Sequence, residues 1–88
     1  MNESEYENSL AEFVYENLNA PVPVSSFDQS ELNYYARVFG IKEQGVKDLI
    51  GQLNKMARKN FSFARACSTI RKKLSAIKAV DIYADNER

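Results

Sequence analysis

Residues Glu31 to Leu53 read ELNYYARVFGIKEQGVKDLIGQL. Leu32, Tyr35, Ala36 and Phe39 recur at three- and four-residue steps, and so do Val46, Leu49, Ile50 and Leu53. Each set makes one apolar stripe along a helix. Between the sets stands Phe39-Gly40-Ile41. Glycine there suits the positive φ that commonly stops a helix. The stretch therefore predicts two short amphipathic helices meeting at a sharp corner.

The flanks extend both helices. Asp28 starts the first, with capping-box spacing to Glu31 and with Phe27 placed for a hydrophobic staple to Leu32. The second runs from Lys42 or Glu43 to about Lys59, its stripe continuing through Met56 and Ala57. Gly45 and Gly51 lie inside it, and each costs about 1 kcal/mol relative to Ala. Either they admit another helix or a sugar-phosphate backbone, or they are merely tolerated. Asn60 can close this helix and Ser62 can cap the next.

That next helix, Phe63 to about Tyr83, is the longest. Its stripe is Phe63, Cys67, Ile70, Leu74 and Ile77, continued by Val80 or Asp81. The four-three spacing is that of a coiled-coil seam, but over two to three heptads it reads as a packed core helix. Cys67, inside the stripe, reads as a small buried thiol.

Upstream, Ser4 to Leu18 predicts an acidic helix, with Tyr6, Leu10, Phe13, Val14 and Leu18 on one side. Ser4 and Glu7 have capping-box spacing, and Glu3, Glu5 and Glu7 suit the positive end of the helix dipole. Its acidic face is either solvated or docks on a basic surface, its own or a partner's. Between the two regions, NAPVPVSSF (Asn19 to Phe27) contains Pro21 and Pro23, which exclude a continuous helix. An extended connector packed through Val22, Val24 and Phe27 is expected.

Eighty-eight residues make a single domain with a small core, which a dimer or a partner could complete. The expected organisation is one domain over residues 1–88: an acidic helix at 4–18, a connector at 19–27 and a helical core with a basic face at 28–84. The longest apolar runs are far too short to cross a membrane. The start, MNESEYENSL, has neither the basic and apolar regions of a secretory signal nor the arginines of a transit peptide. A cytoplasmic location is expected.

The chain has one cysteine and no histidine, which leaves no disulfide, no zinc-ligand set and no histidine general base. Its three glycines match no phosphate-binding loop. No enzyme activity, metal or cofactor is expected. Net charge is zero but segregated. Residues 1–31 hold seven acids and no base; residues 32–79 hold eleven bases against Glu43 and Asp48 alone. A field of that kind attracts phosphate or an acidic protein.

The corner resembles the helix-turn-helix of small bacterial and phage regulators over about 20 residues. Ala36 is the small residue in the first helix, Gly40 stands four positions later, and Phe39 and Ile41 flank it. Val46 and Leu49 fall five and eight positions after Ile41. The resemblance implies an all-α fold, a compact bundle of about four helices containing this pair. It also implies that the second helix enters the major groove of double-stranded DNA. Lys42, Gln44 and Lys47 would then meet base edges, beside Glu43 and Asp48, with no Arg, Ser, Thr or Asn on that face.

A second basic feature lies outside the corner: Arg58, Lys59, Arg65, Arg71, Lys72, Lys73 and Lys78. Arg65 and Lys72 share one face of the last helix, and Arg71 and Lys78 make a neighbouring line. Such a strip is either solvated or a phosphate-binding surface. Tyr34 and Tyr83 read as stacking groups or as ordinary amphipathic positions. The expected function is a small DNA-binding regulator or accessory protein, compatible with a homodimer. The alternatives are a protein-interaction module that modulates a host protein, and a structural subunit of an assembly.

Overall fold

The structure, a computed structural model, describes residues 2–17, 20–59 and 61–86, with side chains of the last helix as far as residue 79. In order it contains α1 (Glu3–Tyr15), one 3-10 turn (Val24–Ser26), α2 (Gln29–Phe39), α3 (Glu43–Ala57) and α4 (Phe63–Asn86). It is a bundle of four helices, without strands among the described residues. Roles assigned to Leu18, Asn19, Asn60, Val80, Asp81 and Tyr83 fall outside the described residues or side chains.

The corner forms from local chemistry. The carboxylate of Asp28 accepts the Glu31 N–H at 2.8 Å, and Glu31 Oε1 accepts the Asp28 N–H at 3.4 Å. The Ser30 hydroxyl donates to the same Asp28 carboxylate at 2.7 Å. The Ser30 bond first, then the Glu31 N–H, favours the charged form and holds the Asp28 pKa below its ordinary value. A depressed carboxylate stabilises the fold above its unfolded pKa and loses that contribution as pH falls through the folded one. The cap is thus intact at neutral pH and fails only in acid.

At its far end α2 stops on Gly40, at φ 67° and ψ 37°. The Ala36 carbonyl accepts the Gly40 N–H and also, at 3.0 Å, the N–H of Ile41. That longer bond is the six-to-one closure of a Schellman stop. It turns Ile41 inward to 8% exposure, and Lys42 in extended conformation leads into α3.

All four helices meet in one core. Leu10 and Val14 from α1, Val46, Leu49, Ile50 and Leu53 from α3, and Ile70 from α4 are fully buried, with Phe39 of α2 beside them. Burying an aliphatic side chain of this size contributes about 1.5–3 kcal/mol. The connector joins this core through Val22 and Phe27, and the Phe27 ring lies 4.8 Å from that of Phe13. The proline-containing segment is therefore a packed strap that brings α1 back over the other helices.

Three local expectations change. Asn2 caps α1 in place of Ser4, its side-chain oxygen accepting the Glu5 N–H at 3.0 Å. Asn is as good a cap as Ser, and capping two positions earlier adds Glu3 and Ser4, about half a turn, to the helix. Helix α1 ends at Tyr15, short of Leu18. Third, the two glycines of α3 differ. A Cβ on Gly45 would stand 2.9 Å from Ile77 Cγ2 of α4 and 3.3 Å from Ile41 Cδ1, whereas one on Gly51 would meet nothing within 4 Å. Gly45 is what lets α4 close on the start of α3; Gly51 has no such role among the described residues.

The two substitutions should therefore act in opposite directions. Gly45→Ala overpacks a rigid β-branched neighbour and should lower unfolding stability by about 1–3 kcal/mol. Gly51→Ala should raise it by up to about 1 kcal/mol. Urea unfolding followed by circular dichroism measures both, and equal effects would refute the distinction.

Candidate nucleic-acid interface

The exposed side of α3 carries Gln44, Asp48 and Lys55, flanked by half-buried Glu43 and Lys47. Its polar heads bind each other along the helix. Lys47 Nζ lies 3.5 Å from Glu43 Oε1, and Gln44 Nε2 donates to Asp48 Oδ1 at 3.0 Å. Both pairs span one turn, where side chains four apart are neighbours. Lys42, exposed at the N-cap, makes no side-chain capping bond. The structure thus brings Lys42, Gln44 and Lys47 to one end of α3, but with Gln44 and Lys47 each already paired to an acid.

The basic strip is divided by the way α4 packs. Ala66, Cys67, Ile70 and Leu74 face the core. Helical rotation then puts Arg71 and Lys78, seven apart, on the flank beside α1. Arg71 Nε donates to Glu7 Oε2 at 2.9 Å, and Lys78 Nζ donates to Glu3 Oε1 at 2.9 Å. Glu7 is only 6% exposed, the one buried charged residue among those described. It sits in the apolar stripe of α1 with Leu10, Ala11 and Val14. Arg71 is its counter-charge, so these two members of the strip serve the fold.

Arg65 and Lys72 lie on the outer face of α4, across the helix from Ile70 and Leu74, and are exposed, as are Lys73 and, at the end of α3, Arg58 and Lys59. Among the described residues none of the five is in an ion pair. Lys59 and Arg65 come together at the α3–α4 corner, where they line a hollow of about 240 Å³ with Met56 and Phe61. Ser62 caps α4 there, its hydroxyl accepting the Arg65 N–H at 3.2 Å.

Arg37 adds a cation that the sequence motif does not single out. It is exposed in the last turn of α2, and it lines a surface cavity of about 500 Å³ with Ser30, Glu31, Tyr34 and Tyr35. The signal was its place opposite the Leu32-Tyr35-Phe39 stripe. Tyr34 is half-buried, its ring edge-on to Tyr6 at 4.9 Å. Hydrogen bonding to Tyr6 first, then desolvation, raises its hydroxyl pKa.

Cys67 is buried under α1 and its thiol donates to Asn8 Oδ1 at 3.3 Å. Burial pushes its pKa up, away from the reactive thiolate. No group of three or more metal-ligand side chains occurs among the described residues, and none of their helices is long and apolar enough to cross a membrane. Comparison of the chain with family models, curated proteins and solved structures gave no match.

The division of the strip predicts unequal substitutions. Arg71→Ala should lower unfolding stability by about 1–2 kcal/mol, less than for a fully buried pair because Arg71 itself is half in solvent. Lys72→Ala, one residue on, should stay within about 0.5 kcal/mol of the parent. Thermal and urea unfolding of the two variants side by side checks this.

Proposed function

We propose that the protein is a small, non-enzymatic DNA-binding regulator or accessory protein that holds duplex DNA mainly by phosphate contacts. The observation that carries this reading is the set of open cations Arg58, Lys59, Arg65, Lys72 and Lys73 on the α3–α4 corner and outer side of α4. Five cations that have no ion-pair partner among the described residues, in a chain of zero net charge, concentrate positive potential around that corner and the outer face of α4. Each phosphate they neutralise releases counterions and favours binding without reading sequence.

The role of α3 in this reading is smaller than the helix-turn-helix resemblance implies. Base readout requires free donors and acceptors at the groove. Gln44 and Lys47 must first leave Asp48 and Glu43, and those two acids then stand beside phosphates. Lys42 remains the α3 residue best placed for contact. Helices α2 and α3 serve chiefly as the frame that sets α4 and its cations at a fixed angle.

A protein-interaction module is the second reading. It is favoured by the cavity that Tyr34 shares with Arg37, since Tyr and Arg are the residue types enriched at binding hot spots.

Titration of a labelled duplex at two salt concentrations tests the first reading. Five contacts should cost about 10²- to 10³-fold in affinity between roughly 50 and 200 mM salt. Arg65→Ala/Lys72→Ala should weaken binding to any duplex sequence and flatten the log–log salt slope by about two. Lys47→Ala should change little. The absence of any complex at low salt would eliminate the DNA reading, and a stoichiometric host protein that competes through Tyr34 and Arg37 would establish the second.

A further inference from the structure

Helix α1 divides its acids. Glu3 and Glu7 are held by Lys78 and Arg71 of the same chain. Glu12 and Glu16 are exposed, and among the described residues neither has an ion-pair partner. They stand in the last turns and at the C-cap of α1, whose last turn has no basic residue. The carbonyl end of the helix dipole disfavours carboxylates there. Their placement costs stability, and no described interaction within the chain offsets it.

Beside them is Tyr15, at 39% the one exposed large hydrophobic side chain among those described. Its ring meets Phe63 of α4 edge-on at 5.7 Å. The two rings line a groove of about 640 Å³ with Asn8, Glu12 and Glu16. Aromatic walls with a carboxylate rim match a Lys or Arg side chain, its methylenes over the rings and its charge at the rim.

The same chain carries the complement of this groove, in the open cations Arg65 and Lys72. On α4, Phe63 and Arg65 are about 200° apart. The groove and the cations of one molecule therefore face away from each other and can meet only between molecules. Zero net charge leaves no long-range repulsion between copies. We propose that the Tyr15–Phe63 groove of one copy seats the Arg65 and Lys72 face of a second copy, joining them head to tail.

Such a contact is heterologous, so it extends into short chains wherever its rotation does not close a ring. It is small and charged, so it is weak and salt-sensitive. It does not rest on the DNA reading, but it uses two of the same cations. Where DNA binds, duplex phosphates and the groove compete for them.

Sedimentation velocity on the full chain, from about 10 µM to about 1 mM in roughly 50 and 500 mM salt, tests the proposal. The expected result is concentration-dependent association in low salt, weakened at least about tenfold in high salt. Tyr15→Ala, which leaves every charge in place, should abolish it while the helical circular dichroism and duplex binding are unchanged. Glu12→Lys/Glu16→Lys and Arg65→Glu/Lys72→Glu should each be monomeric alone and associate when mixed, because mixing restores opposite charges across the contact. A single monomeric species at the highest concentration in low salt overturns the proposal. Association that ignores Tyr15→Ala or salt overturns it too, by placing the contact on another face. Loss of duplex binding alone, with association intact, would count against the DNA reading only.

Discussion

The near contact of α3 and α4 at Gly45 governs the arrangement of everything after the corner. A methyl group there would stand 2.9 Å from Ile77, so the two helices close to a distance that only hydrogen permits. Ile77 stands late in α4 and Gly45 early in α3, which makes the pair an antiparallel hairpin. With that hairpin fixed, the rotation of α4 about its axis is fixed as well. One flank then faces α1, and the other faces solvent. Apolar packing, and not the charges themselves, thereby decides which cations are bound within the chain and which stay open.

The fold was legible wherever its cause is local. The stripe of Leu32, Tyr35 and Phe39 advances by three- and four-residue steps, the Asp28–Glu31 capping box spans three positions, and the turn at Gly40 closes between Ala36 and Ile41, five apart. Cys67 was legible as a buried thiol for the same reason, since its stripe has a helical period. The burial of Glu7 was not, because its counter-charge Arg71 is 64 positions away and only the docking of α1 joins them. Gly45 and Gly51 look alike in sequence, and only the position of Ile77 separates them.

The candidate interface divides along the same line. A seven-residue step placed Arg65 with Lys72, and Arg71 with Lys78, on two lines of one helix. It gave no indication of which line another helix covers. The pairings of Glu43 with Lys47 and Gln44 with Asp48 follow from four-residue spacing. Each such exposed pair is worth only about 0.2–0.5 kcal/mol, but each sets an acid directly beside a side chain that the resemblance assigns to base readout. Arg37 is not marked by the motif, whose DNA-facing positions lie on the second helix of the pair, whereas this cation sits at the end of the first.

The seam between α1 and α4 has one further property. Cys67 is the chain's only thiol, and it lies beneath Asn8 in that seam, buried and with a raised pKa. An alkylating reagent gains full access to it when α1 lifts away or when the whole bundle unfolds, so native-state labelling follows whichever opening is easier. When reclosing outpaces the reagent, the rate gives the free energy of that opening, and a value below the global unfolding free energy is the signature of α1 lifting by itself. The chain thus contains a chemical stopwatch for its least local interface, placed where the acid-bearing helix meets the basic one.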